Sequence, residues 1–358
     1  MASSKEVILC AGSVGSPQIL LLSGVGPAAE LEAVGVNALL DAPEVGKHLK
    51  DHLEVGLLFD APGLGVSMAQ LAVGMGSDAL RQPSGPLPSN PADDASLPPD
   101  LQALKAEADR QLSEWFTTGS GIVSSSLYDA VAFFSTGLGD DHTHDAQLAF
   151  IPTGYNADLY RRCLRIDPDE FFEDAQSVLS PESESVIILA NPVQPRSEGE
   201  IVLASNDPLA KPDIRMNYFD DPHDIKVMIA VIRKALDVAA HWPGTNRIGP
   251  WRPPSGFAER HGYVEGQEPS DELLEDVARH FSLTVYHLTS SCRIGSVVDS
   301  QLKVLGVERL RIADASVMPN VVSGNTNAAS IMIGEKAAEI IAFDHHIALK
   351  EFVGSKSS

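Results

Sequence analysis

Basic residues are scarce in this chain: 26 Lys and Arg stand against 49 Asp and Glu, for a net charge of -23. That charge repels nucleic-acid phosphates and anionic membrane surfaces, so neither nucleic acid nor membrane is an expected partner. Cysteine is rare too. Cys10, Cys163 and Cys292 are odd in number and lack metal-like spacing, which supports neither a disulfide framework nor a zinc site and favours buried free thiols. No apolar run approaches the ~20 residues that span a bilayer. The opening MASSKEVILCAG lacks a charged start followed by a long apolar stretch and a cleavage site. A glycine-rich dinucleotide loop is also missing. Gly24, Gly26 and Ala29 match the loose G-x-G-x-x-G/A spacing, but they follow the helical-looking Gln18–Ser23 and not a strand, the wrong context for cradling a pyrophosphate.

What is present suffices for a globular protein. The 358 residues are 44% hydrophobic, enough for about two domains with sizeable cores. Glu6–Ala11 reads as a short strand closed by Gly12 and Gly15, after which Pro17 opens a helix at a first helical position. Pro43–Phe59 leads into another strand, and 83–99, rich in Pro, Ser and Asp, reads as a surface insertion. Leu101–Phe116 has helical spacing and is expected to pack. LYDAVAFFS, AQLAFIP, SVIILANPV and GEIVLAS read as strands of an antiparallel sheet. Asp220–His241 and Asp271–Phe281 are amphipathic helices, and the final stretch returns to strand, loop and helix with Asn325 or Thr326 at the cap.

Four stretches in order resemble the glucose-methanol-choline (GMC) oxidoreductases: Lys5–Gly26, Val45–His52, Gln194–Asp224, and Tyr286–Gly295 followed by Leu310–Ala342. The resemblance covers nearly the whole chain. Some positions depart from the family pattern. His287-Leu288 stands where His-Pro is usual, Thr289-Ser290-Ser291 where a glycine and threonine are common, and Ser197-Glu198-Gly199 where Ser-Arg-Gly is frequent. Family members normally begin with a βαβ dinucleotide unit, so the chain resembles the C-terminal part of a complete enzyme, with an N-terminal FAD-binding segment expected upstream.

The resemblance implies FAD as cofactor and a small-molecule alcohol as substrate. It makes His287 the base that takes the hydroxyl proton, since imidazole titrates near neutrality, and Asn325 its partner on the substrate oxygen. Cofactor contacts are expected from Asp314 and Ala315, from Val14 and Gly15, and from Asn327 at the start of the last helix, whose positive end suits negative charge on a reduced flavin. Asn325 has a plainer role open to it as a helix cap. His48 and His52 read as fixing local loops, and the pairs His142 with His144 and His345 with His346 as solvated surface; no metal is expected.

The fold class is therefore α/β and α+β: a partial, discontinuous FAD-binding domain from 1–56 and 282–345, a substrate-binding domain on an antiparallel sheet from 57–281, and a tail from 346. The leading activity is FAD-dependent oxidation of an alcohol CH–OH group. A non-catalytic fragment and a hydroxynitrile lyase of the same family are the alternatives.

Overall fold

Short apolar runs broken by glycine and proline set the order of elements. β1 (Val7–Leu9) runs into α1 (Gly12–Leu22), followed by β2 (Val25–Gly26), α2 (Ala28–Ala33), β3 (Leu40–Asp41) and β4 (Leu53–Asp60). Then come α3 (Pro99–Thr118), β5 (Ala130–Phe134), β6 (Ala146–Ile151), β7 (Ser185–Pro192), β8 (Glu200–Val202) and β9 (Asp213–Arg215). α4 (Pro222–Ala240), α5 (Ser255–Arg260), α6 (Asp271–Phe281), β10 (Ser282–Thr284), β11 (Leu310–Ile312) and α7 (Thr326–Asp344) complete the chain. The computed structural model describes residues 5–62, 99–121, 124, 128–139, 143–152, 161, 167–172, 184–242 and 248–348. The surface insertion expected at 83–99 lies outside the described residues except for Pro99, as do His142, Cys163 and the tail beyond 348.

These elements form two compact units, one from Leu53–Pro192 with Ile225–Leu283, the other from Met1–His52, Val193–Asp224 and Thr284–Ser358. In the first, five strands pair in the order β10-β4-β7-β6-β5, with β4, β7, β6 and β5 antiparallel. β7 is the middle strand, and all eight of its residues are buried. A strand covered on both faces reads as an unbroken apolar run, as Val186–Ala190 does. Helices supply the rest of this core. α4 buries Ile225, Met228, Val231, Ile232, Ala235 and Ala239 at intervals of three and four. α6 buries Leu273, Leu274, Val277, Ala278 and Phe281. Its start is fixed locally, because the Ser270 hydroxyl accepts the Leu273 N–H and acidic Asp271 and Glu272 fill the first turn.

In the second unit β1 and β11 pair in parallel, Val7 opposite Leu310. Leu20, Leu21, Leu31, Ile312, Val317, Ile333 and Ala337 share a core with Cys292. Residues 193–224 belong to this unit and not to the middle domain expected from the sequence. The backbone explains why: Ile201 N–H donates to Gly46 O (2.7 Å), and Leu49 and Gly199 exchange bonds of 2.9 and 2.7 Å. Gly46 is at φ 80°, and a Cβ there would lie 2.5 Å from Ile201 O, so only glycine allows this approach. GEIVLAS thus forms a ribbon with β9 and is no part of the five-stranded sheet.

Three further expectations are corrected. α1 starts at Gly12, so Pro17 lies inside it. Proline has no N–H for the carbonyl four residues back, and that carbonyl, Ser13 O, instead accepts the Ser291 hydroxyl at 2.6 Å. Cys10 is exposed and only Cys292 is a buried thiol among the described cysteines. In α3 the side chains of Trp115 and Phe116 are exposed, so these two residues lie outside the packing expected of Leu101–Phe116.

Candidate active site around His287

His287 is placed by a short antiparallel pairing. Lys50 and Thr289 exchange backbone bonds of 3.1 and 2.9 Å, and Val285 N–H donates to His52 O at 3.1 Å. Two residues along each strand from the Lys50–Thr289 pair, His52 faces His287, as the strand period requires. Their Nδ1 atoms lie 2.9 Å apart. The rings meet edge to face with centroids 5.1 Å apart. The second nitrogen of His52, Nε2, is 3.0 Å from Val193 O. His52 is fully buried, and His287 is 8% exposed.

Asp51 fastens this pair. Its Oδ1 accepts the backbone N–H of both His52 and His287 at 2.9 Å. Its Oδ2 accepts the Tyr218 hydroxyl at 2.6 Å and the Thr284 hydroxyl at 2.5 Å. Buried polar groups need such partners. Burial still pushes the Asp51 carboxyl up, against four hydrogen bonds that favour the carboxylate. Burial lowers His52 to about 4, helped by the neighbouring His287 ring. It also lowers His287, opposed by the charge of Asp51. Both shifts favour the uncharged imidazole at neutral pH.

The other expected site residues fall into two groups. Asp314 Oδ2 accepts Gly12 N–H (3.1 Å) and the Ser16 hydroxyl (2.6 Å), while Oδ1 accepts Ser316 N–H (2.9 Å). The Ser13 hydroxyl donates to Leu288 O (2.7 Å), and Ser290 N–H donates to Ala315 O (3.3 Å). The start of α1 with Val14 and Gly15, the Asp314–Ala315 turn and the segment after His287 are thereby stitched together. A Cβ on Gly15 would lie 2.8 Å from Ala11 Cβ. The serines that depart from the family pattern are used here: Thr289, Ser290 and Ser291 are fully buried, and Ser290 takes a left-handed backbone at φ 73°.

Asn325 and Asn327 form the second group, at the start of α7, and both are exposed. Asn325 occupies the cap position, yet its side chain makes no capping bond. Among the described residues no hydrogen bond joins either asparagine to His287. Near this loop Gln194 donates its amide to the Ser323 hydroxyl at 2.8 Å.

Glu198, at the position where arginine is frequent, gathers cations. It meets Arg293 at 3.2 Å and Lys50 at 3.5 Å. It also bonds His48 Nδ1, whose Nε2 is 2.6 Å from Glu44. His48 thus fixes a loop as expected, whereas His52 does more than that. His345 bonds Glu6 at 2.9 Å. Among the described residues no group of three or more His, Cys, Asp or Glu is placed to hold a metal ion, and no helix is long and apolar enough to cross a membrane. Asp51, Tyr218 and Thr284 are not singled out by any sequence pattern above, and His52 is expected only to fix a loop. The available signal was the Lys50-Asp51-His52 triplet immediately before a strand.

The structure thus combines a buried histidine pair, a parallel strand pair and a five-stranded sheet that is largely antiparallel. Residues 1–54 and 195–334 match the N- and C-terminal models of the GMC oxidoreductases. The chain belongs to the GMC oxidoreductase family. It is 32% identical over 348 residues to an alcohol dehydrogenase [acceptor] of Pseudomonas putida, covering 94% of this chain and 51% of that one. It is 30% identical over 341 residues to an oxygen-dependent choline dehydrogenase of Acinetobacter baumannii, covering 94% and 51%. The chain spans about half the length of the curated relatives it matches. In fold it is similar to a variant formate oxidase of Aspergillus oryzae solved to follow FAD modification, with TM-score 0.69, 24% identity, and 96% of this chain and 55% of that one covered. FAD is the cofactor that goes with this family and fold.

Proposed function

We propose that this chain carries the proton-abstracting half of an FAD-dependent oxidation of a small alcohol at its CH–OH group. The observation that carries the reading is His287: a buried imidazole lowered by its surroundings, tied at Nδ1 to His52, with no hydrogen-bond partner on Nε2 among the described residues. Such a group is neutral at pH 7 and keeps a nitrogen for the substrate hydroxyl. FAD, when bound, supplies the hydride acceptor.

The chain's own residues fit that cofactor at one end of α7. The helix begins without a side-chain cap, beside exposed Asn325 and Asn327. Its first N–H groups and positive end are open to an electron-rich ring edge. Asn325 orients the substrate by donating its amide to the oxygen that loses the proton. Val14, Gly15, Ala315 and Asn327 contact the cofactor, and Asp314 shapes the turn that presents them, since both its carboxylate oxygens are engaged within the protein. The substrate class is a small-molecule alcohol, a reading supported by the names of the alcohol dehydrogenase and choline dehydrogenase relatives.

The test is the visible spectrum of the purified chain after incubation with excess FAD and desalting, then anaerobic addition of alcohols. Retained flavin bands that bleach on addition support oxidation. Retained bands that never bleach, with cleavage of a cyanohydrin, would replace it by a lyase. A colourless protein would remove the cofactor reading for this chain.

A further inference from the structure

The histidine pair leads beyond the choice of base, to which of its two nitrogens does the work. Val193 O is a carbonyl oxygen and can only accept, so the His52 nitrogen 3.0 Å away, Nε2, must carry hydrogen. A neutral imidazole has one N–H. His52 Nδ1 is therefore a bare lone pair, and the contact of 2.9 Å to His287 Nδ1 must be donated from His287. His287 then has its single hydrogen on Nδ1, and its Nε2 is the bare nitrogen.

The reverse order fails physically. If His52 donated through Nδ1 it would either set the lone pair of Nε2 against a carbonyl oxygen or become an imidazolium with no exposed surface. The fully buried position and the 85° edge-to-face arrangement leave little room for a third geometry.

We infer that His52 is a positioning residue that, held by the Val193 carbonyl, selects the Nδ1–H tautomer of His287 and so leaves Nε2 as the proton acceptor toward the alcohol. This rests on the reading of His287 as the base, but the tautomer exists whether or not flavin is bound. Asp51 fixes both backbones, and His52 fixes the ring. Isolated imidazole prefers its hydrogen on Nε2, the nitrogen that would then be unable to accept, so a free histidine here would spend most of its time in the wrong form.

The experiment is long-range proton–nitrogen NMR of the chain with ¹⁵N-labelled histidine at pH 7.5, where His287 is assigned by the signals lost in His287→Gln. The expected result is a protonated Nδ1 and bare Nε2 on His287, with the opposite pattern on His52. In His52→Phe, which fills the space without an acceptor, His287 is expected to move to the Nε2–H form. In His52→Asn, whose amide oxygen takes the place of Nδ1, it is expected to return to Nδ1–H. A protonated Nε2 on His287 in the parent chain overturns the inference, as does an unchanged tautomer in a folded His52→Phe. The parent measurement decides even if the phenylalanine variant does not fold. Failure of the base reading is seen separately, as an unchanged kcat in flavin-loaded His287→Gln with the tautomer as expected.

Discussion

The two halves of the proposed reaction centre are built in opposite ways. Around His287 the supporting groups are tied down: Asp51 accepts four hydrogen bonds, and His52 is pinned at both nitrogens. At the start of α7, Asn325 is exposed and its side chain does not even cap its own helix. The difference separates what the protein sets in advance from what it leaves open. A base needs its tautomer and orientation fixed before the substrate arrives, whereas a group that grips the substrate oxygen must have unspent hydrogen-bonding capacity. Locking costs free energy elsewhere, in burying ionisable groups. Leaving an asparagine unbonded in water costs almost nothing.

The comparison is broken most severely at His287. In flavin-loaded protein His287→Gln is expected to lower kcat by about 10²–10⁴, the usual contribution of a general base, with a much smaller change in KM. Steady-state kinetics on an alcohol that bleaches the flavin checks it. Next comes Asp51→Asn, which turns one accepting oxygen into a donor facing other donors. A loss of roughly 2–3 kcal/mol is expected from the unsatisfied buried groups, read as a lower denaturation midpoint in urea. A loss below ~0.5 kcal/mol would mean that the hub contributes little.

A third effect appears with pH. An unfolded histidine binds a proton below about 6.5, but folded His52 does so only below about 4. Between those values the unfolded state holds more protons, so stability falls as pH falls through this window, by an amount on the order of 3 kcal/mol. Half-buried Glu54, raised to about 7 by burial, works in the opposite direction, losing stability as pH rises above the ordinary carboxylate value. The check is therefore a difference: His52→Asn relative to the parent, with urea midpoints measured from pH 7 to pH 4. The parent is expected to weaken more steeply, and parallel curves would show that His52 does not titrate as described.

The smallest effect sharpens the other side. Ser270→Ala removes a made cap on α6 and is expected to cost about 1 kcal/mol, whereas Asn325→Ala removes no capping bond and is expected to change stability by less than ~0.5 kcal/mol. Thermal denaturation distinguishes them. If Asn325→Ala costs as much as Ser270→Ala, Asn325 is spent on the helix after all.

Much of this was legible in the chain. The alternation and runs of AQLAFIP and SVIILANPV pointed to sheet strands, and Asp271–Phe281 announced a capped amphipathic helix through its own residues. Such signals are local, carried by neighbours in sequence. The misreadings share the opposite property. GEIVLAS has the pattern of a strand, but nothing within it says that its partners are Gly46 and Leu49 and not the large sheet. Pro17 looked like a helix opener because the hydroxyl that satisfies the freed Ser13 carbonyl comes from Ser291, 278 residues away. His52 passed as a loop histidine because its partner is 235 residues distant.

The sequence by itself determined the family, the types of secondary structure and the identity of the proposed base, because those are written in short motifs and in period. Only the tertiary structure decided which nitrogen of that base is free. A proton's position on an imidazole depends on acceptors within 3 Å, and here a carbonyl, a second histidine and the burial that keeps both rings neutral are brought together from three distant segments.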